Sequence, residues 1–84
     1  GKLIKVQLDE ENGVISNIKI TGDFFMHPEE SITELEAFLT GIKLAEGNFF
    51  HLIERFISES KIKLLGASTR DFATAIEKAV ERSA

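Results

Sequence analysis

The hydrophobic positions of the chain change period once, close to Pro28. Before it, Ile4, Val6 and Leu8 alternate with Lys5, Gln7 and Asp9, and Val14, Ile18 and Ile20 alternate with Asn17, Lys19 and Thr21. Period two is that of a strand with one buried face, so residues 2–9 and 14–21 read as two strands joined through Glu10-Glu11-Asn12-Gly13. Register discriminates between turns. A two-residue Asn12-Gly13 turn sets Val6 opposite Lys19 and splits the apolar rows between faces. A three-residue loop, Glu11 to Gly13 with Gly13 left-handed, sets Val6 opposite Ile18 and Ile4 opposite Ile20, and this bulged hairpin is the expectation. It leaves Ser16 opposite Leu8 on the inner face. A lone hairpin is not stable in water, so helices must cover it.

After Pro28 the spacing is helical. Ser31-Ile32-Thr33-Glu34 has the form of a capping box, and Leu35, Phe38, Leu39 and Ile42 follow on one face. Gly41 is a natural left-handed stop. Asn48 is placed to cap a second helix with the stripe Phe49, Leu52, Ile53, Phe56 and Ile57, beside which Phe50 lies at the rim of the core or in an interface. Lys61-Ile62-Lys63-Leu64-Leu65 alternates briefly and fits either a short strand on the hairpin edge or a loop. Ser68 to Asp71 repeats the capping pattern before a slim helix with Phe72, Ala75, Ile76, Ala79 and Val80 on its buried side. The fold class is therefore α+β: two layers, an antiparallel hairpin with or without that third short strand, covered by about three helices. The chain reads as one domain, residues 1–84, with its sheet part at 1–28 and its helical part at 29–84.

The two periods meet at Thr21-Gly22-Asp23-Phe24-Phe25-Met26-His27-Pro28. Gly22 permits a positive φ or the close approach of another segment, and Pro28 keeps His27 out of the right-handed helical region. If this joint is extended, Phe24 and Phe25 point to opposite sides and cannot both enter one core. One of them is then left for a partner, because a large apolar ring on an uncovered side needs cover.

Composition narrows the options. Eighty-four residues with 43% hydrophobic content and no cysteine make a small domain without disulfides, thiolate catalysis or cysteine-ligated zinc. A chain of this size buries only about 60–65% of the surface its unfolded form exposes, so it is marginal without disulfides, a metal or a docking partner. A net charge of −4 opposes sequence-independent nucleic-acid binding, and Lys61 and Lys63 read as a solvated edge. No apolar run approaches a membrane span. The chain opens on Gly1 with Met26 its only methionine, as expected of a trimmed start.

Reactive chemistry is sparse. His51 reads as a rim residue beside Glu54 and Arg55, and His27 as a polar residue preceding Pro28. The pairs Glu10/Glu11 and Glu29/Glu30 read as solvated or helix-dipole carboxylates, and Asp23 as an acceptor for nearby turn amides. There is no phosphate-binding glycine loop and no nucleophile elbow. No catalytic or metal-binding residue is assigned.

The segments Gly13-Val14-Ile15-Ser16-Asn17-Ile18, Thr21-Gly22-Asp23-Phe24-Phe25 and Ile32-Thr33-Glu34-Leu35-Glu36-Ala37-Phe38-Leu39-Thr40-Gly41 occur in this order over nearly the whole chain. In that order they resemble the small C-terminal accessory domain of lipoate-protein ligases. The resemblance implies a cytoplasmic accessory subunit or domain that docks on a large catalytic subunit. That large subunit uses ATP, magnesium and lipoate to form lipoyl-adenylate, then passes the lipoyl group to a lysine of an acceptor protein. It implies docking or lid-shaping roles for Gly22, Asp23, Phe24, Phe25 and Gly41, with no cofactor bound by this chain alone. The joint's exposed Phe together with the open sheet face is the expected apolar centre of that docking surface. Two other classes stay open: a protein-binding scaffold unrelated to lipoylation, which capture of a different partner would support, and a small-molecule-binding domain, which tight binding of lipoate or ATP by the isolated chain would support.

Overall fold

The computed structural model describes residues 3–83, so the expected beginning of the first strand at residue 2 lies outside the described residues. Strands β1 (Ile4–Glu11) and β2 (Val14–Gly22) form the antiparallel hairpin. The turn is the two-residue Asn12-Gly13 form, both residues having positive φ (55° and 80°), with the Gly13 amide donating to Glu10 Oε2 at 2.7 Å. This corrects the three-residue loop. Glu11 pairs with Val14 and Glu10 with Ile15, but Asp9 pairs with Asn17, so Ser16 is an extra residue in β2. Beyond this bulge Leu8 faces Ile18, Val6 faces Ile20 and Ile4 faces Gly22. The bulge reverses the phase of β2, which removes the objection to the short turn and places Ile15, Ile18 and Ile20 together in the core. Ser16 is thus not opposite Leu8, and Ile15 rather than Val14 is the fully buried residue at the start of β2.

Helix α1 spans Ser31–Leu39, yet the capping box does not form. Glu30 is the cap residue, and Ser31 is already the first helical residue, 1% exposed with its Oγ unpartnered. A side chain turned into the core cannot reach back to the Glu34 amide, which instead donates to the Glu30 carbonyl at 3.1 Å. Glu36 does unexpected work: its Oε2 accepts the Ile20 amide at 2.8 Å, fastening α1 to β2. Gly41 ends the turn after α1 at φ 92°, as expected, and its amide donates to the Ile15 carbonyl at 2.7 Å.

Helix α2 spans Phe49–Glu59, capped by Asn48 Oδ1, which accepts the His51 amide at 3.3 Å. Helix α3 spans Thr69–Ser83, and its capping box is reciprocal: Ser68 N–H to Asp71 Oδ2 at 2.9 Å and Asp71 N–H to Ser68 Oγ at 3.2 Å. α3 packs on β1 and on α2, while α1 packs on β2. Their common core holds Val6, Ile18, Leu35, Leu39, Ile53, Phe72 and Ile76, and the small Ala73 and Ala79 let α3 approach closely.

The chain after α2 is a strand, but not on the hairpin edge. β4 (Lys63–Leu65) pairs antiparallel with β3 (Phe25–His27), a strand made from the joint itself, as a second, separate ribbon. Phe25 lies opposite Leu65, Met26 opposite Leu64 and His27 opposite Lys63. The third short strand therefore sits within the part of the sequence read as helical.

Candidate functional site

The joint is held on both sides by backbone. Gly22 is at φ 156°, and a Cβ there would collide with the Leu3 carbonyl oxygen. The same oxygen accepts the Asp23 amide at 2.9 Å. On the other side Gly66, at φ 87°, packs closely on the joint: a Cβ would lie 3.2 Å from the Asp23 oxygen and 3.3 Å from Phe24 Cα, so the neighbours would have to give slightly. The residue before β1 and the residue after β4 thus flank residues 22–24 closely, which sets the path of the backbone from which the two rings leave.

Phe24 turns inward and meets Phe72 edge to face, ring centroids 4.8 Å apart. Phe25 turns outward and is 76% exposed. The alternation expected from the sequence is the one observed, with Phe25 as the ring left over. Its cross-strand neighbour Leu65 is 57% exposed, so the outer side of the ribbon carries two adjacent uncovered apolar side chains. Beside them runs a shallow groove of about 330 Å³ lined by Ile20, Phe24, Phe25, Met26, Glu29 and Ile32.

The other expected site residues separate into two places. Gly22 lines the groove, and Asp23 is the exposed link between β2 and Phe24. The Asp23 carboxylate accepts no turn amide among the described residues, contrary to the expectation; Glu10 has that role in the hairpin turn instead. Gly41 lies at the far end of α1 from Ile32, does not line the groove, and serves the connection from α1 to β2.

The open face of the hairpin is not apolar. It presents Lys5, Gln7, Asp9, Asn17, Lys19 and Thr21, all exposed, so the expected contribution of that face to an apolar docking centre is corrected: the adjacent pair of uncovered apolar side chains, Phe25 and Leu65, belongs to the ribbon, while Leu3, also exposed, precedes β1. Leu65 and Gly66 were not singled out by sequence reasoning. The signal for Leu65 was present, because in the alternation from Lys61 to Leu65 it shares the odd-numbered, lysine-bearing side.

His27 is exposed opposite Lys63, and His51 lies in the first turn of α2. No group of three or more potential metal-ligating side chains converges among the described residues, and no helix there is long and apolar enough to cross a membrane.

Comparison with known proteins places this geometry in context. Residues 3–76 match the family model described as bacterial lipoate protein ligase C-terminus. Lipoate-protein ligase A subunit 2 of Thermoplasma acidophilum is 39% identical over 74 residues, which cover 88% of this chain and 76% of that protein. Among solved structures, a chain from an archaeal lipoylation system of Thermoplasma acidophilum superposes with a TM-score of 0.77 at 36% identity, over 89% of this chain and 82% of that one. That system consists of a bi-partite lipoate protein ligase and its E2 lipoyl domain. With the family model spanning most of its length and the same two-layer fold shared with a sequence relative, the chain belongs to the bacterial lipoate protein ligase C-terminus family.

Proposed function

We propose that the chain is the accessory subunit of a bipartite lipoate-protein ligase, docking on a large catalytic subunit and supporting ATP-dependent adenylation of lipoate before the lipoyl group reaches an acceptor lysine. The observation that carries the reading is Phe25, 76% exposed at the joint in a chain whose relative is one subunit of a two-part ligase. A large apolar ring left in water gains by being covered, and with the Phe25 backbone already paired in a ladder the ordering cost falls mainly on its side chain.

In this reading the chain contributes order, not a reacting group. Attack of a carboxylate on an α-phosphate needs aligned reactants and a site from which water is excluded, and a docked cover supplies both. ATP, magnesium and lipoate are held in the complex, by the large subunit; the acceptor protein meets this chain only indirectly. The location proposed is the cytoplasm. The test is to mix the chain with its candidate catalytic subunit and measure pyrophosphate release and lipoyl-adenylate formation. Adenylation that rises on addition of the chain supports the role, and equal rates with and without it refute the role.

A further inference from the structure

The outward surfaces of the domain differ in what they can seat. The open hairpin face is polar throughout. Between α1 and α2 lies a groove of about 170 Å³ bordered by Phe38, Leu52 and Phe56, but the Phe38 and Phe56 rings already stack on one another, centroids 5.0 Å apart. The β3–β4 ribbon is unlike either. Because side chains alternate, Phe25 and His27 of one strand and Lys63 and Leu65 of the other all stand on its outer side. That side is a square of four, one edge apolar (Phe25 and Leu65) and one edge polar (His27 opposite Lys63). In a chain of net charge −4, Lys63 has no carboxylate partner among the described residues.

We propose that the outer side of this ribbon is the surface that seats on the catalytic subunit, with Leu65 as a second anchor beside Phe25 and Lys63 meeting a carboxylate on the partner's rim. The inference rests on the ligase role proposed above and adds its contact residues. Two apolar side chains directly opposed across a ribbon form the compact centre that concentrates binding energy in protein interfaces, surrounded by polar groups that exclude water. An unpaired lysine beside that centre sets orientation through charge complementarity. The groove at Ile20, Phe24 and Ile32, which Phe25 also lines, adjoins this contact. Since the ribbon is stitched to the rest of the domain through Met26 and Leu64, which point inward, the outer residues can be changed without loss of the core.

The experiment measures Kd between the purified chain and the catalytic subunit by calorimetry, with the melting temperature of each variant as the check on folding. Phe25→Ala is expected to weaken binding about 30-fold and Leu65→Ala about 10-fold. The double variant should lose less than the product of the two, because neighbouring side chains couple. Lys63→Glu should slow association and flatten or invert its salt dependence. Phe38→Ala should stay within about twofold of the unaltered chain. If Leu65→Ala and Lys63→Glu bind like the unaltered chain while that chain still stimulates adenylation, the ribbon assignment is wrong and the ligase role stands. If the unaltered chain neither binds nor stimulates, the role and this inference fall together.

Discussion

Two glycines of similar backbone freedom make a sharp test of how the joint is built. Gly22→Ala and Gly41→Ala both place a methyl group on a residue with positive φ, 156° and 92° respectively. At Gly41 the added Cβ meets nothing within 4 Å, so only the backbone penalty applies, about 1–2 kcal/mol. At Gly22 it strikes the Leu3 carbonyl oxygen, a backbone atom that cannot rotate away and that also accepts the Asp23 amide. Relief requires the end of β2 to part from the residue before β1, which adds the loss of that hydrogen bond and of local strand pairing, for a total of about 3 kcal/mol or more. A domain of this size shifts by about 4–8 °C per kcal/mol, so thermal unfolding followed by circular dichroism should fall by roughly 5–15 °C for Gly41→Ala and by more than about 12 °C for Gly22→Ala. The difference between the two is the informative quantity. Equal shifts would mean that Leu3 does not close on Gly22, and the close flanking described for the joint would be refuted.

Three further outcomes follow from other contacts. Ser31→Ala removes a hydroxyl that is buried without a partner, so stability should be unchanged or rise by up to about 1 kcal/mol in urea unfolding; a loss above about 1 kcal/mol would show that the hydroxyl is bonded after all. Glu36→Ala should cost about 1–2 kcal/mol and speed hydrogen exchange at the Ile20 amide, with Glu36→Gln restoring most of the protection because an acceptor oxygen remains; unchanged exchange in the alanine variant would break the proposed link between α1 and β2. Ser68→Ala should lose about 1 kcal/mol through the cap of α3, whereas Glu34→Ala, the far member of the box that does not form at α1, should stay within about 0.5 kcal/mol; equal losses in urea unfolding would contradict the two helix starts described.

The parts of the fold legible in the sequence are those set by local rules. The caps of α2 and α3 depend on residues three positions apart and formed as read, and the helical stripes from Phe49 and Phe72 point inward. The alternation of Phe24 and Phe25 is equally local, and it identified a ring left uncovered. The errors came where a distant segment decided the outcome. Ser16 bulges because three inward residues of β2 must share one face, and Gly41 and Ile42 bond Ile15 on its far edge. Ser31 has the sequence of a cap, but its burial against the core withdrew the hydroxyl from the helix end. β4 was visible as an alternating run, while its partner was not: the joint offers only three residues to it, too few for strand periodicity to register. For the same reason Leu65 entered the candidate site only with the structure, since nothing local says that it lies across from Phe25.

The ribbon joins strands that the chain supplies on either side of α1 and α2. A chain with only its hairpin formed cannot display the Phe25 and Leu65 pair, since the second half of the pair follows both helices in the sequence. A subunit that recognises this square would consequently capture finished molecules and ignore half-built ones, so that assembly itself acts as the inspection step.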